Sequence, residues 1–418
     1  MGAIFRFFWD ALRTIFRGGP LYWLWLLVLI ALVAIGALHY REQWEHGLIV
    51  TGMSDQVSWG AYIANFTFLV GVAAAAVMLV IPAYIFDRND VREVVLIGEG
   101  VAVAAVVMCM LFVTVDLGHP ERFWHLLPYI GVFNFPQSML AWDVVVLTGY
   151  LFLNLSIPFY ILFTRYRGRE PDLRIYYPGV LISIAWAISI HTVTAFLFSS
   201  NVSRPFWDTA VLAPRFLASA FTSGPALIVL ALQVIDRFTA FKVRDEVIAF
   251  LAIVVTVALQ VNLFLLGVEF FTEFYFASEH TAYARFLFFG LAGHRALVPW
   301  IWTAIAFNLI AVSILSVHPL RRRRTLLNAA CALTVVGVWV EKGVGLIIPG
   351  FTPTPLGEVF DYVPTRVEIL VSIGIWAFGF LVFTLLAKVA IPIETGAVTH
   401  ALDDAERRKA AQAGRVTA

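Results

Sequence analysis

The residues most able to do chemistry in this sequence are charged or polar groups set inside long apolar runs. Asp116, Asp143, His191, Glu269, Glu273, Glu341 and Lys342 all sit in such runs, with Arg215 opening another. An ionisable side chain in a hydrocarbon environment is costly, so it marks a ligand site or proton route by default. Carboxylates and imidazoles suit proton exchange near neutrality. Glu269 and Glu273 are four residues apart and share a helical face, nearly the face of Asn262. Trp59, Tyr62 and Asn65 repeat at spacing three on another. Glu341 and Lys342 are adjacent and point about 100° apart, so each can pair with a different helix. Plainer readings stand beside these. Asp116 can end a helix against Arg122, Asn65 can be an interhelical hydrogen bond, and His191 can be a satisfied core histidine. Trp59 and Tyr62 can be interfacial aromatics. The clustering is harder to explain that way than any single member.

The elements that hold these groups are membrane spans. Of 418 residues, 61% are hydrophobic and 14% charged, where a soluble domain carries about a quarter charged. A span needs about 20 apolar residues. Ten runs qualify: Leu21–Leu38, Ser58–Phe86, Glu93–Asp116, Gln137–Thr164, Arg174–Ser199, Leu212–Asp236, Glu246–Phe276, Ala296–Val317, Thr325–Ile348 and Arg366–Ile391. The expected fold is all-α, with two four-helix bundles (58–199 and 212–348) and two flanking helices. Residues 1–20 form a non-spanning leading segment, and 392–418 a polar tail with a charged helical piece at Asp403 to Lys409. Ala64-Asn65-Phe66-Thr67 and Ser219-Ala220-Phe221-Thr222 echo one another in the two halves.

Arginine and lysine give the orientation. One side holds Arg6, Arg13, Arg17, Arg88, Arg92, Arg165, Arg167, Arg169, Arg174, Arg237, Lys242, Arg244, Arg321 to Arg324, Arg407, Arg408, Lys409 and Arg415. The other holds only Arg41, Arg122, Arg204, Arg285 and Arg295. Both termini are therefore expected in the cytoplasm, and the buried polar groups fall mostly in the outer half, with Glu99 the main exception. The first long apolar run follows Pro20 and ends without a small-residue cleavage site, so no cleavable signal peptide is expected. Two isolated cysteines, Cys109 and Cys331, cannot hold an iron–sulfur cluster. Of nine histidines only His191 lies well inside a span, so a protein-held haem is not expected. No metal site is expected, and phosphate-loop, nucleophile-elbow and HExxH motifs are absent. A net charge of +1 gives no reason to expect nucleic acid.

Asp116-Leu117-Gly118-His119-Pro120-Glu121-Arg122-Phe123 resembles the DLGxPxRF signature of the NrfD/PsrC family, which includes the polysulfide reductase membrane subunit. Trp59 to Phe66 with Gly71 resembles its first core helix, and Pro214-Arg215-Phe216 through Ala226 the start of its second bundle. Ten spans fit its longer branch. Glu341-Lys342-Gly343-Val344-Gly345 with Pro349 to Pro355 looks closest to QrcD, then DsrP.

The resemblance implies a quinone site, with menaquinone as the expected quinone, and no haem or iron–sulfur cluster in this chain. It implies a quinol-dependent oxidoreductase complex with a periplasmic ferredoxin-like iron–sulfur partner, and with molybdoenzyme-like or multihaem cytochrome c subunits. Asn65, Asp116 and His119 match the family's quinone-site positions; Tyr62, Trp59 and His191 join them more loosely. Asp116 and His119 would carry the proton chemistry. Asp143, Glu269, Glu273, Glu341 and Lys342 would supply proton routes. A transporter-like subunit, a structural anchor without its own quinone site and a cytochrome-b-type anchor are the rival readings. The direction of electron flow is open at this point.

Overall fold

The computed structural model describes residues 2–127, 129–275 and 280–400. Helix α1 (Gly2–Ile15) is followed by ten helices long and apolar enough to cross a bilayer. They are α2 (Pro20–His46), α3 (Ala61–Tyr84), α4 (Val95–Asp116), α5 (Met139–Tyr166), α6 (Leu173–Ser199), α7 (Leu212–Phe238), α8 (Asp245–Tyr275), α9 (Val298–Ser316), α10 (Arg324–Gly350) and α11 (Arg366–Glu394). Helices α3 to α6 pack as one four-helix group and α7 to α10 as the second, while α2 and α11 pair and lie against α4. The ten expected spans are all present.

Small residues let these helices close on each other. A Cβ on Gly36 would come within 2.7 Å of the Gly374 Cα, so the α2–α11 backbones touch. Between the bundles, a Cβ on Gly71 would lie 3.5 Å from the Ala220 Cα, and one on Gly224 only 2.0 Å from the Ala75 Cβ. Gly71-x3-Ala75 and Ala220-x3-Gly224 form a small-xxx-small seam, the usual device for close packing where lipid gives no hydrophobic drive. The faint sequence echo runs into this seam.

Three features differ from the expectation. The first span does not stop at Leu38. Its polar extension Arg41–Glu42–Gln43–Glu45 is made of good helix formers, and an i,i+4 pair at 2.8 Å joins Arg41 to Glu45. The helix ends at His46, before Gly47 at φ 76°. Second, two spans are broken. In α3 the regular pattern lapses at Ala75–Ala76 into i→i−3 bonds, and the Ala73 carbonyl accepts from the Tyr150 hydroxyl at 3.1 Å. In α10 the break falls at Gly343, where a Cβ would meet the Trp339 carbonyl at 2.4 Å. Third, the leading segment is itself helical. Asp403 to Lys409 lies outside the described residues.

Candidate functional site

Two polar regions emerge, and they divide the sequence-derived set differently from the expectation. The first is a cavity of about 500 Å³ between the extended end of α2 and the loop after α4. Tyr40, Gln43 and Trp44 line it from α2, and Leu117-Gly118-His119-Pro120-Glu121 from the loop. His119 is exposed, with Nδ1 2.9 Å from Glu121 Oε1. Its own backbone N–H, then the His119 side chain, hold the Glu121 carboxyl below its ordinary pKa, so it stays anionic.

Behind the wall the bonds are buried. Gln43 donates through Nε2 to the Val115 carbonyl at 2.6 Å and accepts at Oε1 from the Tyr62 hydroxyl at 2.7 Å. Asp116, between Val115 and the lining residue Leu117, has a buried Oδ1 with no hydrogen-bond partner among the described residues. A second buried relay braces this corner. The Ala61 N–H donates to the Tyr362 hydroxyl, which donates to Glu368 at 2.6 Å. Burial, then the Glu368 carboxylate, pushes the Tyr362 phenol up. Glu368 also accepts from the Gly52 and Thr365 N–H groups, completing a capping box on α11.

Asp116, His119 and Tyr62 are thus brought together at or just behind the cavity wall, while Asn65, Trp59 and His191 are not. Asn65 is one turn deeper on α3. Its carboxamide oxygen accepts from the indoles of Trp339 at 3.0 Å and Trp376 at 2.9 Å, and its nitrogen donates to the Ala61 carbonyl. Both oxygen lone pairs are used, so it ties α3 to α10 and α11. Trp59 stacks on Trp207 at 5.8 Å between ring centroids and meets Phe198 and Phe351 edge-on. His191 is fully buried at the seam between the bundles.

That seam holds the second region. Lys342, the last residue before the α10 break, lies 3.2 Å from His191 Nε2 and 4.2 Å from the Phe216 ring centroid. The other ring nitrogen of His191, Nδ1, has no hydrogen-bond partner among the described residues. Gly71 makes room for the lysine: a Cβ there would lie 3.3 Å from Lys342 Nζ. Three residues along α6 from His191, Thr194 donates to Asp143 at 2.8 Å. Glu341 turns the other way, into the second bundle. It accepts from Asn262 at 3.2 Å, Asn308 at 3.1 Å and Arg215 at 3.2 Å, and Arg215 also pairs with Glu269. Glu273, one turn on, faces His280 at 3.9 Å. A cavity of about 10 Å³, room for about one water, lies among Arg215, Ser219, Glu341 and Lys342. Phe216 leads from Lys342 to a cluster of rings: Phe198 lies 6.0 Å from it, and Trp207 and Trp59 pack on Phe198 and on each other, with Phe351 against both, at 5.2 to 5.8 Å.

Sequence reasoning missed Gln43, Tyr40, Asn308, Tyr362 and Glu368. Thr365-x-x-Glu368 before an apolar run is a legible capping-box signal. Tyr40 and Gln43, three apart, continue a helical face that the hydropathy boundary at Leu38 cut away.

The sequence profile of the family described as "Polysulphide reductase, NrfD" matches residues 49–353. The chain is 26% identical to a putative dimethyl sulfoxide reductase membrane subunit of Halobacterium salinarum, over 89% of this chain and 91% of that protein. It is 25% identical to an Hdr-like menaquinol oxidoreductase integral membrane subunit of Archaeoglobus fulgidus, over 92% and 96%. It is 22% identical to a selenate reductase subunit of Mesobacillus selenatarsenatis, over 88% and 93%. With ten spanning helices and a profile match over most of its length, this chain is a multi-pass integral membrane protein and belongs to the NrfD family.

Proposed function

We propose that this chain is the quinol-interacting membrane subunit of a respiratory oxidoreductase complex, taking electrons from menaquinol near the outer face and handing them to an iron–sulfur partner. The observation that carries the reading is the cavity between the α2 extension and the Leu117–Glu121 loop, backed by the unpartnered oxygen of Asp116. Its volume is in the range of small-molecule sites, and its polar groups converge from two elements. A relative named as a menaquinol oxidoreductase subunit over nearly its whole length supports the quinone class. The arginine asymmetry supports both termini in the cytoplasm and the cavity on the periplasmic side.

The residues suit a quinol. His119 and Gln43 offer hydrogen-bonding groups at the wall, and Tyr40 and Trp44 offer apolar faces. A bound quinol supplies two electrons and two protons. Asp116 takes a proton at its free oxygen, in a site where a carboxylate has no cation partner to hold it ionised. His119 passes protons toward Glu121, whose anion it already contacts. Gln43 fixes the Tyr62 hydroxyl and the end of α4, so Asp116 and His119 are presented from one rigid corner. Electrons leave to the partner, and further subunits of molybdoenzyme or multihaem type complete the assembly. Asp116→Asn should keep the complex assembled and abolish quinol-dependent reduction of the partner, and unchanged turnover sinks the assignment.

The broken helices favour a second role for the seam. We propose that Asp143, His191, Lys342, Glu341, Glu269 and Glu273 carry protons between the bundles, as half-helix ends do in transporter folds.

A further inference from the structure

Helix α1 has three distinct sides. Phe7 faces the protein, with its ring 5.6 Å from Phe159, 5.7 Å from Phe163 and 5.4 Å from Tyr166 near the end of α5. Asp10, on the same side, accepts from the Tyr166 hydroxyl at 2.7 Å. Ile4, Phe5, Phe8 and Leu12 form a second side and are exposed, between 46% and 71% of each side chain's residue surface being uncovered. Arg6, Arg13 and Arg17 form the third, spaced seven and four apart, with Arg13 lying over Trp9 at 5.2 Å.

The elbow into α2 is fixed, so these sides have a set direction. The Tyr22 hydroxyl donates to the Ile15 carbonyl at 2.9 Å, and Phe16 stacks on Trp23 at 6.4 Å. Lys388 of α11 sits over the Tyr22 ring at 4.6 Å, adding a cation at the elbow. Phe159 and Phe163 lie within about two turns of the end of a spanning helix. A helix packed on them therefore lies at the level of the membrane surface, not in the aqueous phase. Its apolar side is continuous with the lipid-facing surface, and its basic side turns away from it. This partition of apolar and cationic faces is that of an in-plane helix.

We propose that α1 lies in the bilayer interface on the side of the basic loops. There Ile4, Phe5, Phe8 and Leu12 enter the acyl region, while Arg6, Arg13, Arg17 and Lys388 bind anionic phospholipid headgroups. The occupant is the bilayer because the apolar side meets lipid without a step and the cations match its anionic headgroups. The inference is independent of the quinone reading, since α1 touches neither polar region described above.

The test uses the complete protein in nanodiscs of phosphatidylcholine with one quarter phosphatidylglycerol. Cys109 and Cys331 are buried, so a nitroxide can be placed selectively at Phe8→Cys or Arg6→Cys. The label at position 8 should collide with oxygen and be shielded from a water-soluble nickel chelate, and the label at 6 should show the reverse. Equal exposure of both to the chelate, or shielding of position 8 from both reagents by a protein partner, overturns the proposal. Spin-labelled phosphatidylglycerol should then be preferred over phosphatidylcholine at the protein surface. The R6Q/R13Q/R17Q variant should lower that preference about threefold or more, and R6K/R13K/R17K should retain it. A preference unmoved by the glutamine variant, or lost equally in the lysine variant, overturns the headgroup assignment.

Discussion

Gln43→Leu tests whether the outer cavity has the wall assigned to it. The substitution removes two buried bonds, to the Tyr62 hydroxyl and to the Val115 carbonyl. A stranded buried polar group costs about 1–3 kcal/mol, so two would cost about 2–6 kcal/mol in a water-soluble protein. In a membrane protein such bonds couple more weakly, averaging about 0.6 and reaching about 1.7 kcal/mol. Tyr62 is fully buried, which places this pair toward the upper figure. The sign is sharper than the size. Tyr62→Phe should cost about 1 kcal/mol in the native background, because it leaves Gln43 Oε1 without its donor. In the Gln43→Leu background it should be neutral or stabilising, because it removes a stranded hydroxyl. Thermal unfolding can be followed with a thiol-reactive dye, since Cys109 and Cys331 are fully buried until the helices part. Quinol-analogue titration on the same four proteins should show weakened binding wherever Gln43 is absent. Equal costs of Tyr62→Phe in both backgrounds would refute the bond. Normal analogue binding to Gln43→Leu would refute the wall.

Gly224→Ala should destabilise far more than Gly71→Ala, because its Cβ would fall 2.0 Å from the Ala75 Cβ, whereas that of Gly71 would meet the movable Lys342 amine at 3.3 Å. Unfolding midpoints of the two variants check the order. Glu341→Gln should cost less than the loss of about 3–5 kcal/mol from breaking an isolated buried ion pair, because Arg215 keeps Glu269 as its partner. Arg215→Gln added to it should deepen the loss by stranding Glu269, read from the same unfolding assay.

The spans were legible because hydropathy is local and additive along the chain. The grouping of the buried polar residues was not, because it depends on which helix faces which. Tyr62, Asn65 and His191 look alike as polar groups in the outer half. In three dimensions Tyr62 bonds Gln43, Asn65 is saturated by two indoles more than 270 residues along the chain, and His191 meets Lys342 151 residues away. Glu341 and Lys342 were expected to serve different neighbours, and they do, one turning into each bundle. The α2 wall was missed because a helix that leaves the hydrocarbon stops looking like a span while remaining a helix.

The ring cluster beside Lys342 has a consequence of its own. Five aromatic side chains in contact carry no group that can hold a proton. They form a patch of low polarity beside Lys342. The polar neighbours of Lys342 lie elsewhere, at Glu341 with Arg215 and Glu269, and at His191 with Thr194 and Asp143 one turn on. On the roles proposed for the two regions, this apolar packing would keep protons at the seam apart from a quinol at the outer cavity.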